Sequence, residues 1–292
     1  MISVRDFTGI INSVLPEPHA GLLSGILFGT KMSIDPLLKQ ALVSTGTLHI
    51  VALSGMNITI LASIVNISLL WLFPRKIASI VTIFVIIGFI LFVGPSASVI
   101  RAGIMGGISL VAIIFGKNLW ALWSWGVAVV GMLLVRPMWI TDLSFQLSVL
   151  ASLGIICFGK PSTVASTIPD GTWESNWSDL EKNNRHVVRR KVIRHLREVL
   201  WDDLQTTLAA QTFTIPILFV TFGRLSFISP LTNVLIGWTI PIVTVLGLFV
   251  SVFGFVFFPI GQVFAWISWI FLEYIIQIIT WTSRIPFASI EW

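Results

Sequence analysis

Charge is scarce in this sequence. Asp, Glu, Lys and Arg make up 11% of its 292 residues, against about 25% in an average soluble domain. A chain so poor in charge cannot cover a water-facing surface, which excludes a soluble globular protein. Cysteine and tyrosine occur once each. The single Cys157 excludes an internal disulfide and a thiolate metal cluster. His19, His49, His186 and His195 show no metal-ligand spacing, so no cofactor is expected. The N-terminus, Met1-Ile-Ser-Val-Arg-Asp-Phe7, lacks the basic region, apolar core and small-residue cleavage site of a signal peptide. Insertion is therefore expected to use the first true span as an internal signal.

What is present is apolar bulk: 55% hydrophobic residues, 13 Trp and 21 Phe, with a mean hydropathy of +0.94. The class implied is an all-α polytopic integral membrane protein, here a single transmembrane domain over 1–292, with interfacial aromatics supplied mostly by tryptophan. Hydropathy places about eight transmembrane helices at 52–72, 77–93, 97–116, 119–135, 142–158, 204–222, 234–256 and 261–281. Breaks at Pro74-Arg75-Lys76, Gly94-Pro95-Ser96, Gly116-Lys117-Asn118, Arg136-Pro137 and Phe258-Pro259 separate several of them. Ser96 is expected to cap the third span. Gly21–Gly29 is apolar but falls short of the ~20 residues a crossing needs, and reads as an interfacial or re-entrant helix. Asp35 is a candidate N-cap for an amphipathic stretch after it.

Residues 160–198 differ from the rest. They hold eight Lys/Arg against five Asp/Glu and end in a basic run with apolar residues at loose helical spacing. A basic amphipathic helix on an anionic membrane surface is the simplest reading; contact with a nucleic-acid backbone is the other. Loops one, three and five between spans hold eleven basic residues, loops two, four and six only Arg136 and Arg224. The positive-inside rule then puts 160–198 in the cytoplasm and both termini outside.

One stretch stands apart: Thr45-Gly-Thr-Leu-His-Ile-Val-Ala-Leu-Ser-Gly-Met-Asn-Ile58. It sets His49, Ser54, Gly55 and Asn57 at the head of a charge-free run to Phe73. Unpartnered polar groups cost several kcal/mol in hydrocarbon, so these four are expected to face water or protein. By depth, Arg101, Asp142, Gln146, Gln211 and Asn233 join them in the outer half or near the midplane, an outward polar vestibule in which Arg101 is expected to pair with Asp142. Gly55, Pro95, Pro216 and Pro230 are the expected helix breaks. Blander readings stand beside these. Arg101 can snorkel to headgroups, and Gln146, Gln211 and Asn233 can simply bridge helices. His49 can be an interfacial histidine, and Gly88, Gly103, Gly106, Gly107 and Gly131 can mark close helix packing. An intramembrane serine hydrolase built on Ser54, His49 and Asp142 lacks the GxSxG elbow.

The ordered set Ser44–Gly55, Arg101-Ala102, Asp142–Ser148, Gln211–Pro216, Phe222–Ser226 and Ser229–Asn233 resembles the membrane channel domain of the ComEC family of competence proteins, over about residues 16 to 287. The resemblance implies a conduit for single-stranded DNA across the bacterial cytoplasmic membrane. It implies a separate nuclease and a cytoplasmic DNA-translocating helicase as partners, beside membrane lipids and further copies of the chain. Where the family often has a second histidine, this chain has Asn57. The family's OB-fold and metallo-β-lactamase-like nuclease domains have no counterpart here, so no hydrolytic chemistry is expected of this chain. A small-solute permease and a non-conducting scaffold for an uptake nuclease are the alternatives.

Overall fold

The computed structural model describes residues 3–30, 35–51, 54–116, 120–159, 201–202, 204–217, 221, 224–226, 228–285 and 289–291. The basic segment 160–198 lies outside them. The helices are α1 (Val4–Val14), α2 (His19–Phe28), α3 (Pro36–Ser44), α4 (Gly55–Leu70), α5 (Arg75–Val93), α6 (Ala97–Ile114), α7 (Ala121–Val135) and α8 (Leu143–Phe158). There follow α9 (204–217), α10 (Ser229–Gly237), α11 (Thr239–Val256) and α12 (Phe258–Ser283), with tight 3-10 turns at Leu48–Ile50 and Pro137–Thr141. Beside these helices, β1 (Arg224–Ser226) pairs antiparallel with β2 (Ser289–Glu291).

The described residues are thus helical, as expected, apart from turns and one three-residue ladder. Among the described residues, five segments are long and apolar enough to cross a membrane: Leu48–Leu70, Arg75–Val93, Ala97–Ile114, Thr239–Val256 and Phe258–Ser283. The expected count of eight is larger. Helices α7 and α8 have 15 and 16 residues, about 24 Å at most for a hydrocarbon core of about 30 Å. The expected span 234–256 is divided at Trp238 into α10 and α11. Pro241 explains the division, because it has no N–H to offer the carbonyl four residues back, at Gly237.

The core gathers around α2. All ten of its residues are buried, as an apolar helix without a polar face requires. It is therefore not an interfacial helix but one enclosed by α1, α11 and α12. Glycines make the enclosure close. A Cβ on Gly247 would lie 2.6 Å from Leu23 and 2.8 Å from Leu27, and Gly25 leaves the space that Val51 fills. Gly261 and Gly254 bring the backbones of α12 and α11 together. Ahead of this core, Ser3 caps α1 by donating its backbone N–H and hydroxyl to Asp6, and this holds the Asp6 carboxyl below its usual range.

The α4–α8 region is thinner. Gly103 admits Ile90 and Gly154 admits the α9 backbone at Ala209, but Gly88, Gly106, Gly107 and Gly131 have no neighbour among the described residues that a Cβ would touch. Those four therefore mark no close helix contact among the described residues. Phe84, Leu91, Trp123 and Leu134 are exposed on this side, as lipid-facing residues are. Asp35 caps α3 by accepting from the Leu37 N–H at 2.7 Å, as expected. Ser96 stands at the α6 N-cap with no side-chain bond, contrary to expectation. Pro95 sits in the expected break before α6, and Pro230 occupies the first turn of α10. Pro216 lies one residue before the end of the described part of α9.

Candidate functional site

The stretch that stands apart in the sequence begins as the end of α3. Thr47 N–H donates to the Leu42 carbonyl at 2.9 Å and Gly46 N–H to that of Val43 at 3.1 Å. Gly46 has φ +68°, the left-handed residue such a helix stop requires. Thr45 and Thr47 are fully buried, with their hydroxyls 2.8 Å apart. The turn so fixed presents Gly46 to the start of α10. A Cβ there would lie 3.0 Å from that of Ser229 and 3.1 Å from that of Ser226.

Ser229 is the meeting point. Its Oγ accepts from Gln211 Nε2 at 3.3 Å and Asn233 Nδ2 at 3.4 Å. His49 is exposed and donates from Nδ1 to the Gly46 carbonyl at 3.2 Å; that carbonyl can only accept, so Nε2 is left as the acceptor. Asn233 Oδ1 is buried with no partner among the described residues. Two expected site residues, Gln211 and Asn233, thus meet at Ser229, and a third, His49, is tied to Gly46, which packs against that serine.

The other five separate. Ser54 is the N-cap of α4 without a side-chain bond, and Gly55 begins that helix rather than breaking one. A Cβ on Gly55 would lie 3.5 Å from Arg101 Nη2, so the guanidinium stands beside the α4 N-terminus. Arg101 Nη1 donates to the Ser148 carbonyl of α8, and its Nε is buried without a partner among the described residues. The expected Arg101–Asp142 pair does not form. Asp142 instead caps α8 by accepting from Ser144 N–H at 3.0 Å, and Gln146 Nε2 donates to the Ile140 carbonyl at 2.7 Å. Local backbone groups satisfy both side chains more readily than a distant cation. Asn57 is buried and ties three helices: Nδ2 donates to the Ile26 carbonyl of α2 at 2.5 Å, and Oδ1 accepts from Thr244 of α11 at 3.5 Å.

All eight candidate residues fall within 26–292, the residues matched by the family model described as Competence protein. The chain belongs to the Competence protein family. The ComEC resemblance read from the sequence is borne out by this match. A further relative is ComE operon protein 3 of Bacillus subtilis (strain 168), 25% identical over 146 residues, which are 50% of this chain and 19% of that protein. The match therefore spans about a fifth of the relative's length. No solved structure matches the chain.

In this family member the sequence reading passed over one pair. His19 Nε2 lies 2.7 Å from Glu273 Oε2, joining the start of α2 to α12. Glu273 Oε1 accepts from Gln277 Nε2 at 2.8 Å, and the His19 ring lies against Trp269 with 5.4 Å between centroids. A signal was available: Glu273 is the one acidic residue inside the five candidate spans.

Proposed function

We propose that this chain builds a membrane path for single-stranded DNA in natural transformation. Membership of the Competence protein family over residues 26–292 carries the reading. Phosphates call for a positively biased, polar path. Arg101 suits that role, since its guanidinium stands at a helix N-terminus, itself an anion-favouring element, and keeps one buried N–H unused. The Gly46–Ser229 junction, with His49 and Asn233, forms the polar outer lip. In this reading both termini lie outside the bacterial cytoplasmic membrane and residues 160–198 in the cytoplasm. The nuclease is a separate protein, a helicase draws the strand from within, and copies of the chain enclose the path.

The test is transformation of cells carrying Arg101→Gln at wild-type membrane levels. Transformants are expected to fall at least tenfold. Normal transformation by both Arg101→Gln and His49→Ala would sink the proposed path.

A further inference from the structure

The geometry points to the His19–Glu273 pair as an intramembrane proton-binding site. Depth comes first. Helix α12 has 26 residues, Phe258–Ser283, about 39 Å at a rise of 1.5 Å per residue. Glu273 lies roughly 22 Å from one end and 15 Å from the other on the same rise, near the middle of any bilayer the helix crosses. An ionisable group there is expensive and is kept for pathways, relays or counter-ions.

The chemistry of the pair follows from its hydrogen bonds. An ionised carboxylate only accepts, so His19 Nε2 carries the shared proton and Nδ1 is left with its lone pair. Nδ1 is buried and has no partner among the described residues. A pair serving only to fasten α2 to α12 would leave that base position unsatisfied at a cost of about 1–3 kcal/mol. Neutral imidazole with carboxylate bears one net negative charge. A proton taken up at Nδ1 forms imidazolium and brings the pair to neutrality, the state a low-dielectric interior favours. The proton count is the same if the shared proton rests on Glu273. The Trp269 face beside the ring favours the imidazolium further.

Few other charges bear on the site. Helices α10 and α11 carry no ionisable residue. Arg5 and Asp6 of α1 and Lys39 of α3 are exposed. Exposed Glu17 accepts from the Gly21 N–H at 3.1 Å, and the Tyr274 hydroxyl donates to the Leu235 carbonyl at 3.0 Å. Glu273 is the charged group in direct contact with His19. Its side chain is 32% exposed while that of His19 is 8% exposed, so the carboxylate is the outer member of the pair. The site also has a transmitter. Ten-residue α2 has His19 at one end, and at the other Gly25 abuts Val51 and the Ile26 carbonyl holds Asn57.

Nitrogen NMR of the full chain, labelled at histidine and held in lipid vesicles, tests the site directly. One histidine, identified by its loss in His19→Gln, is expected to gain a proton at Nδ1 as pH falls. Glu273→Gln removes the anion, so that step should move to at least tenfold higher proton concentration. Should Glu273→Gln fail to insert, Gln277→Leu frees a carboxylate lone pair and should move the step the other way, to lower proton concentration. An Nδ1 that stays unprotonated wherever the protein is folded, or a step unmoved by the substitution used, overturns the inference. The readout follows ring nitrogens alone, so failure of the DNA path leaves it intact and its failure leaves the path intact.

Discussion

The surroundings of α2 and the α4–α8 region are built on opposite terms. Nineteen buried apolar residues join α1, α2, α3, α10, α11 and α12 into one cluster. The α4–α8 side has two clusters, of four and three. The first group holds itself together through side chains that never meet lipid. The second leaves its apolar faces open, which costs little in a bilayer because lipid tails are as apolar as leucine. Rigidity is therefore concentrated around α2, and the candidate residues sit along its margin: Asn57 bonded to it, Gly46 and Ser229 at the edge of its cluster, Arg101 on the thinner side.

The contrast can be broken most directly at the α11–α12 contact. Gly261→Leu would drive a side chain into the Gly254 backbone, an overpacking worth about 3 kcal/mol or more. Loss of a monodisperse peak in detergent chromatography is expected, and a well-behaved variant would refute the rigid-hub description. Gly46→Ala should act less strongly. The left-handed conformation costs a residue with a Cβ about 1–2 kcal/mol, and the Ser229 and Ser226 side chains are already close. A lowered Tm is expected, with Gly46→Asn milder because asparagine tolerates that conformation. At the thin side, Gly106→Ala meets open space within a helix. It should leave Tm unchanged or raise it, by about 0.5–1 kcal/mol of helix propensity. A marked loss there would mean that α6 is covered after all.

Hydropathy located the long helices because a charge-free run with prolines and glycines at its ends has few other solutions in a bilayer. It could not see Trp238 as a boundary, since the break depends on one missing N–H at Pro241 inside an unbroken apolar run. Azimuth was not legible. Arg101 and Asp142 sit at similar inferred heights, yet the cation found a main-chain carbonyl at Ser148, a partner that every residue carries and no sequence pattern marks. Of the three residues the blander reading covered, Gln211 does bridge to a neighbouring segment at Ser229, while Gln146 and Asn233 bond close by in the sequence. Asn57, which that reading did not cover, ties α4 to α2 and α11. The His19–Glu273 pair joins residues 254 positions apart, and only the isolation of one carboxylate in a span hinted at it.

The short ladder gives the chain's end a mechanical meaning. Ser226 pairs with Ser289 and Arg224 with Glu291, and Ser226 stands against Gly46. An antiparallel ladder loaded along its strands resists in shear, so tension on residue 291 is carried to Ser226 before it reaches α12. From there it bears on Gly46, a residue already held in a left-handed turn.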